Sequence, residues 1–250
     1  MSLATRVNET TLKGLLLTAA ILLGWLISLG ALLRLDLGQI PWQLLVAALV
    51  ARTLLQTGLF IVGHDAMHRV LLPKRRRWND RLGGLALALY AALPYATCLH
   101  NHQRHHELPA SEGDPDFHGD PSAGAWRWYA RFMAGYLTPG QMARLLGGWA
   151  LLALIASRIS PTGWINVLLF CTLPLLLSSL QLFVFGTYLP HRGQRAPANR
   201  SRPDSLNLPP WLSLLACYHF GYHREHHDRP DLAWFELPAQ RRLSTKLAPT

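Results

Sequence analysis

Long apolar runs constrain this 250-residue chain more than any other feature of its sequence. A helix needs about 20 mostly apolar residues, each adding ~1.5 Å, to cross the hydrocarbon core of a bilayer. Runs at 12–33, 42–63 and 163–189 reach that length, a shorter run covers 142–157, and one more apolar stretch covers 82–99. Half of the residues are apolar and only 15% are charged, which argues against a water-soluble globule and against a disordered chain. The sequence therefore predicts an all-α integral membrane protein.

Twelve histidines are the second unusual feature, and eight of them belong to three short motifs. The motif His64–His68 (HDAMH) places two imidazoles at i and i+4, which share one face of a helix. The stretches 102–106 and 223–227 both have the pattern HxxHH, so that each directs three rings toward one point of a helix surface. His191 follows the last apolar run and adds a ninth ring. An isolated histidine is usually a surface or hydrogen-bonded residue, but three such motifs together predict a metal site.

The positions of these motifs limit how the chain can cross the membrane. The motif His64–His68 ends the second apolar run, whereas the motif at 102–106 follows the stretch at 82–99. If 82–99 crossed the bilayer, the two motifs would lie about 30 Å apart on opposite faces and could not share a site. We therefore expect 82–99 to lie in the interface or to re-enter the membrane. This leaves four spans in two hairpins, with 64–144 and 191–250 forming a histidine-rich cap.

Lysine and arginine are distributed unequally between the two sides of this arrangement. Two lie before or at the start of the first span, ten lie between His64 and Arg144 and nine follow His191, whereas the two opposite loops hold only Arg34 and Arg158. Cytoplasmic segments of membrane proteins carry such an excess of positive charge. We therefore expect a multi-pass membrane protein with both termini and the cap in the cytoplasm. The net charge of +10 then indicates contact with lipid headgroups, and we expect no nucleic-acid partner.

Eight or nine imidazoles exceed the coordination number of one metal ion, and two ions fit the number. The sequence lacks the paired Glu-x-x-His pattern of carboxylate-bridged di-iron bundles, and a hydrolytic zinc ion needs only three protein ligands. An oxidative di-iron centre that uses O2 and two external electrons is therefore predicted. Ligand imidazoles are usually oriented by neighbouring polar groups. For His118 and His219, metal binding and such an orienting role both stay open. The candidates for orienting the ligands are Asp65, Asp114, Asp116, His118, His219, Glu225 and Asp228.

The motifs and their surroundings resemble the membrane fatty acid desaturase and hydroxylase superfamily, and within it the bacterial β-carotene ketolases. The similar stretches are His64–His68 (HDAMH), Asp114–His118 (DPDFH), Leu180–Arg192 (LQLFVFGTYLPHR) and Leu212–His227 (LSLLACYHFGYHREHH). The last two stretches favour ketolases over carotenoid hydroxylases. The chain departs from the usual pattern at Arg69, where this family has glycine, and at Arg224, where an aromatic residue or histidine is more common.

This resemblance implies a fatty acid desaturase-like fold with a single oxygenase domain over residues 1–250 and an O2-dependent enzyme. It would introduce a keto group at carbon 4 of β-ionone rings, converting β-carotene through echinenone to canthaxanthin by two successive hydroxylations and a dehydration. A ferredoxin-type donor would supply the electrons, and the protein would lie in the bacterial inner membrane. The resemblance also implies that two iron ions are bound by nine histidines, which are His64, His68, His102, His105, His106, His191, His223, His226 and His227.

Two other classes of function stay open from the sequence. One is a different enzyme on the same scaffold, either a carotenoid hydroxylase or an acyl-lipid desaturase or hydroxylase. The other is a non-enzymatic membrane protein that binds haem or transports a metal. Haem-binding and transporting proteins usually carry their ligands within the spans, whereas the histidines here cluster at one rim.

Overall fold

In the computed structural model, residues 3–111, 113–117, 124–193 and 203–247 are described, and all regular elements among them are helical. The all-α fold class is therefore confirmed. Two π-helical turns, Leu168–Thr172 and Phe183–Tyr188, lie within the long helix Gly163–His191, and two short 3₁₀ turns cover Leu37–Gln39 and Trp234–Glu236. In chain order the α-helices are α1 (Leu3–Leu32), α2 (Trp42–Met67), α3 (Arg76–Ala91), α4 (Tyr95–Glu107), α5 (Ala125–Tyr136), α6 (Pro139–Ala156), α7 (Gly163–His191), α8 (Pro210–Cys217), α9 (His223–Asp228) and α10 (Leu237–Leu247).

Among the described residues, three helices are long and apolar enough to cross a membrane. They are the Asn8–Leu32 part of α1, then α2, then α7. These helices contain the predicted spans at 42–63 and 163–189 and all but the last residue of the one at 12–33. The remaining predicted span, 142–157, coincides with α6, a helix of 18 residues that does not belong to this group of three. The crossing by α6, and with it the count of four spans, stays a prediction.

The helices α3 and α4 form a pair that is bent by 100°. Ala92 ends α3 in the left-handed conformation, with φ 55°, and Pro94 directly precedes α4. A left-handed residue ends a helix, and a proline disfavours helical conformation in the residue before it. The pair covers the predicted interfacial segment 82–99. Because His68 at the end of α2 contacts His102 in α4, the bend returns the chain to the end of α2 that it left.

The helix α2 lies at the centre of the bundle and packs against α1, α3 and α7. Close approach between α2 and α3 depends on two glycines. A Cβ on Gly63 would meet the Leu87 side chain at 2.5 Å, and a Cβ on Gly83 would meet Cβ of Ala66 at the same distance. Because both residues lack a side chain, α3 can pack closely against the histidine-bearing end of α2.

Arg52 is a charged residue inside α2, and it is fully buried. Its Nε donates to the Phe170 carbonyl at 3.1 Å, and its Nη1 donates to the Trp25 carbonyl at 2.7 Å and to Ser28 Oγ at 3.0 Å. The guanidinium also lies over the Trp25 ring, 4.9 Å from its centroid. A charge inside a span is costly unless it meets partners within the bundle. Arg52 has such partners on α1 and α7, and it connects both helices to α2.

Candidate metal centre

The nine histidines that the sequence singles out converge at one end of the bundle. The first motif lies at the end of α2, the second lies in α4, His191 is the last residue of α7, and the third motif forms most of α9. Each of these rings is buried or half-buried. His100 also belongs to α4, but it is exposed and lies outside the cluster.

The rings form two groups of four, and each group could hold one metal ion. Within a group, one ring nitrogen from each residue lies within 4.8 Å of the corresponding nitrogens of the others. The first group is His64, His68, His102 and His226. The second group is His105, His191, His223 and His227. The second and third motifs contribute to both groups, so no single motif makes a site by itself.

His106 lies between the two groups. Its Nε2 is 3.0 Å from Nε2 of His226 in the first group. Its ring stacks on His227 of the second group, with the ring centroids 4.2 Å apart. It also contacts His68, with the centroids 4.7 Å apart. The ninth imidazole is therefore within reach of either ion.

The ring nitrogens face one another, which distinguishes this cluster from an ordinary hydrogen-bond network. Nε2 of His68 lies 2.6 Å from Nε2 of His102, and Nε2 of His227 lies 3.1 Å from Nε2 of both His105 and His223. A neutral imidazole has one N–H and one lone pair, so such contacts direct several lone pairs toward common points. Convergent lone pairs on neutral imidazoles are the donor set of a transition-metal site. These residues therefore fit two ions of a metal that prefers imidazole, and iron is one such metal.

The histidines of α9 are neutral at neutral pH. Burial, followed by the charges of neighbouring histidines, lowers the pKa of His223, His226 and His227 well below the usual range of histidine. Because a metal ion binds the neutral ring, a low pKa keeps the lone pairs available at the pH of the cell.

Asp114 contacts one ring of the second group through both carboxylate oxygens. Both of its carboxylate oxygens lie 3.0 Å from Nδ1 of His105. The carboxylate also accepts backbone N–H groups of Ala110 at 2.8 Å and of Asp116 at 2.9 Å, which fix its position. When Nδ1–H of His105 donates to Asp114, the lone pair stays on Nε2, which points into the cluster. This is the geometry that the predicted orienting role requires.

Asp65 and Asp116 lie near ligands but make weaker contacts with them. Asp65 Oδ1 is 3.8 Å from Nδ1 of His64, beyond hydrogen-bond distance, and its other oxygen accepts a backbone N–H at 3.4 Å. Asp116 Oδ2 is 3.9 Å from Nδ1 of His105, while its Oδ1 accepts the Tyr136 hydroxyl at 3.0 Å. Burial raises the pKa of Asp116 to about 6. These two carboxylates therefore stay predictions for an orienting role, with less direct geometry than Asp114.

Glu225 lies within the third motif, yet its hydrogen bonds lead away from the rings. It is buried and accepts hydrogen bonds from Ser205 Oγ and, at 3.1 Å, from Nη1 of Arg241. Glu225 thereby connects α9 to α10 and to the segment that precedes α8. Asp228, the last residue of α9, is exposed.

His219 belongs to neither group of rings. Its ring stacks on Tyr222 and on Trp234, with centroid distances of 5.7 and 6.0 Å. Burial lowers the pKa of His219 to about 4. The geometry thus favours a packing role over metal binding. His118, the other histidine for which both roles are open, lies outside the described residues.

The two departures from the family pattern have structural counterparts. Arg69 has φ 60°, in the left-handed region that glycine adopts without steric cost, which explains why glycine is usual there. Any other L-residue in this conformation costs about 1–2 kcal/mol. Arg224 donates through Nη2 to Asp204 Oδ1 at 2.8 Å and through Nε to the Pro203 carbonyl at 3.3 Å. It therefore holds the segment before α8 against the outer side of α9.

One small cavity touches the histidines, and a larger apolar cavity adjoins it. The first has a volume of about 50 Å³ and is lined by His64, His102, His105 and His223, so it touches both groups. The second, of about 190 Å³, is enclosed mainly by apolar side chains of α3, α5, α6 and α7. Four residues line both cavities, namely Phe60, Phe132, Tyr136 and Leu182. The sequence reasoning missed the α5 residues of this set, although their i, i+4 spacing on an amphipathic helix is a readable signal.

Comparison with known proteins agrees with this geometry. The model of the fatty acid desaturase family matches residues 40–250. A β-carotene ketolase of Paracoccus sp. (strain PC1) is 40% identical over 242 residues, which is 93% of this chain and 93% of that protein. A β-carotene ketolase of a second Paracoccus strain is 39% identical over 93% of this chain and 94% of its own length. A zeaxanthin 4-ketolase of Chlamydomonas reinhardtii is 37% identical over 88% of this chain and 49% of that protein.

Proposed function

The chain is an oxidoreductase that belongs to the fatty acid desaturase family, and on this basis we propose that it is a di-iron carotenoid ketolase of the membrane. It introduces a keto group at carbon 4 of a β-ionone ring, taking β-carotene through echinenone to canthaxanthin. Each hydroxylation consumes one O2, two electrons and two protons and releases one water. After two hydroxylations at the same carbon, the diol loses a further water to leave the ketone.

One observation carries this proposal. A pocket lined by ligands of both histidine groups adjoins a larger apolar cavity, and the two share four lining residues. An apolar cavity suits a hydrocarbon ring that is dissolved in lipid, and it holds that ring beside the metal ligands. Its relatives act, by their names, on carotenoids at carbon 4, which supports the same substrate class for this chain.

Side chains of the protein position the metal ligands and the substrate ring. The nine imidazoles would hold the two iron ions, which when bound would supply the activation of O2. Asp114 keeps the lone pair of His105 directed at the second group. Phe60, Phe132 and Leu182 surround the passage between the two cavities and exclude water from the ring that reacts. The Tyr136 hydroxyl donates to Asp116, which holds the phenol ring at the same passage.

We also propose the location and the electron donor. The candidate membrane helices support a membrane location, and the distribution of lysine and arginine supports an inner membrane with the histidine end in the cytoplasm. A soluble ferredoxin-type donor is acidic, and the basic cap would attract it electrostatically.

Pigment analysis tests the proposal directly. We expect echinenone and canthaxanthin in β-carotene-producing bacterial cells that express the chain, and at least a 100-fold lower yield from His226→Ala. His100→Ala is the matched control, because His100 is an exposed histidine of α4 outside both groups. It should retain the yield of the unmodified chain.

The other outcomes separate the alternative functions. Zeaxanthin as the product would indicate a carotenoid hydroxylase instead. Unchanged β-carotene, with the protein in the membrane and two irons bound, would indicate another lipid substrate and overturn the ketolase assignment. Absence of bound iron from purified protein would contradict the di-iron centre.

A further inference from the structure

The helix α9 has only six residues, and three of them are histidines of the cluster. Isolated helices shorter than about 12–15 residues are only marginally stable, so α9 depends on contacts with the rest of the chain. It gives His223 and His227 to the second group and His226 to the first. The contacts that hold α9 in place therefore help to position ligands of both groups.

The segment 203–208, which precedes α8, contacts the backbone beside two ligands of the second group. The Asp204 N–H donates to the Pro190 carbonyl at 3.0 Å, and the Leu206 N–H donates to the Gly221 carbonyl at 2.7 Å. Pro190 directly precedes the ligand at the end of α7, and Gly221 lies two residues before α9. A Cβ on Gly221 would meet Cδ1 of Leu206 at 3.1 Å, so the two backbones run close together here. The segment thus joins α7 and α9, which supply three of the four rings of the second group.

Ser205 connects this segment to the middle of the third motif. Its Oγ donates to the carboxylate of Glu225 and accepts the backbone N–H of Arg224 at 3.1 Å. One hydroxyl can make both bonds, because it has one O–H and two lone pairs. The Arg224 N–H belongs to the first turn of α9, where backbone N–H groups have no partner within the helix. Ser205 therefore satisfies a backbone donor of α9 and holds the side chain of Glu225 at the same time.

Arg241 is the second partner of Glu225, and it lies on α10. Its Nη1 donates to Oε1 of Glu225 at 3.1 Å, while Ser205 binds Oε2. The Glu225 side chain is only 1% exposed, whereas that of Arg241 is 21% exposed. Removing one partner of a buried carboxylate leaves its charge poorly compensated, which is costly. Loss of either partner therefore favours a movement of Glu225, and with it of α9, toward water.

We propose that Ser205 and Arg241 are positioning residues of the second group. They hold Glu225, and through it they keep the rings of α9 beside the ring at the end of α7. The centroids of His191 and His223 are 4.9 Å apart in this arrangement. The first group takes one ring from α9 and three from the first two motifs, so loss of either positioning residue affects mainly the second ion. The inference rests on the proposed di-iron function and adds to it the contacts that assemble one of the two ligand sets.

Metal affinity, measured without carotenoid or electron donor, tests this inference. Iron-depleted protein is reloaded with Fe²⁺ in the absence of O2, and competition with a colorimetric chelator gives the affinity of each ion. We expect Ser205→Ala to weaken the binding of one ion about 10–100-fold and that of the other less than about threefold. Ser205→Thr, which keeps the hydroxyl, should retain both affinities. Ser244→Ala is the matched control, because the Ser244 hydroxyl donates to the Gln240 carbonyl of its own helix.

Arg241→Met tests the other partner of Glu225. We expect it to weaken the same ion about tenfold, at the lower end of the range for residues that orient metal ligands, because Arg241 is partly exposed. Arg242→Met is the matched control, because it removes the same charge from an exposed neighbour on α10 and leaves Glu225 with both partners. Unchanged affinities in either Ser205→Ala or Arg241→Met would overturn the inference.

A double variant identifies the ion and separates this inference from the proposed function. Asp114 contacts His105 of the second group, so Asp114→Asn should weaken the same ion as Ser205→Ala, and the double variant should bind the other ion as the unmodified chain does. Weakening of a different ion by each substitution, or equal weakening of both ions by Ser205→Ala, would overturn the inference even if the chain is a ketolase. Selective weakening in a chain that forms no ketone would contradict the ketolase function alone. An unmodified chain that binds no iron would overturn both.

Discussion

The two groups of imidazoles contain the same number of ligands but differ in their surroundings. Three of the four rings in the second group are buried, and His105 donates to a carboxylate that is itself fixed by backbone N–H groups. In the first group two rings are half-buried, and the nearest carboxylate, Asp65, lies 3.8 Å from Nδ1 of His64. A ring that is held in place before the metal arrives binds it more tightly. We therefore predict that the second group binds its ion more firmly and that the first group exchanges its ion more readily.

Removal of a ligand is the most severe way to test this difference. We expect His226→Ala and His223→Ala each to lower ketolase activity by at least 100-fold, because both ions are needed. The metal content should separate the two variants. His226→Ala should keep about one equivalent of iron, bound in the second group. A chelator should remove this iron more slowly than it removes the first of the two irons from the unmodified chain. Elemental analysis during dialysis measures this, and equal exchange rates for both ions would refute the ranking of the sites.

The carboxylates provide a milder test of the same comparison. Asp114→Asn should weaken metal binding about 10–100-fold, because the amide no longer favours the lone pair on Nε2 of His105. Asp65→Asn replaces a carboxylate that makes no hydrogen bond to a ring, so its effect should stay below about threefold by the same reasoning. Competition with a colorimetric chelator gives both affinities. A larger loss in Asp65→Asn than in Asp114→Asn would reverse our order of the two groups.

The pH dependence of the metal-free protein tests the part played by burial. The pKa of His223, His226 and His227 is lowered in the folded state, so the unfolded state binds more protons below its own pKa of about 6.5. Stability should therefore be constant above pH ~7 and fall as the pH drops through ~6.5. The midpoint of thermal unfolding of iron-depleted protein between pH 8 and 5 measures this. His226→Gln, which cannot be protonated in this range, should reduce the slope, and a slope as steep as in the unmodified chain would count against burial as the cause.

The smallest expected effect concerns Arg69, the residue that follows the first motif. Arg69 adopts φ 60° directly after His68, and Arg69→Gly removes the strain of that conformation. We expect a gain of about 1 kcal/mol in the free energy of unfolding, which corresponds to a rise of roughly 2–4 °C in Tm for a chain of this size. Arg224→Gly provides the contrast, because it removes an ion pair with Asp204 without relieving strain. An unchanged or lower Tm in Arg69→Gly would mean that the Arg69 side chain makes compensating contacts.

Much of the fold was readable because its signals are local. The apolar runs predicted α2 and α7. That 82–99 does not cross the membrane stays a prediction, and the bend of 100° between α3 and α4 supports it. Pro94 is visible in the sequence, whereas the left-handed conformation of Ala92 at this bend is not. The role of Arg52 was equally hidden, since its partners Trp25 and Phe170 are remote in the chain.

The candidate site also combines features that the sequence predicts with features that only the tertiary structure shows. The spacing of histidines along a helix is a property of the sequence, and it determined which imidazoles belong to the cluster. How they pair was decided by tertiary structure, because the second motif gives His102 to one group and His105 to the other. The preference for Asp114 over Asp65 likewise depends on a difference of less than an ångström between their distances to a ring nitrogen, which only packing sets.

By itself, the sequence determined that the chain is helical, has long apolar helices and carries a histidine-rich set of motifs, because hydropathy and helical spacing act over a few neighbouring residues. Only the tertiary structure decided how the rings divide into two groups, which carboxylate contacts one of them and which side chains line the apolar cavity beside them. Those features depend on contacts between helices far apart in the chain, and no local pattern encodes the distances between them.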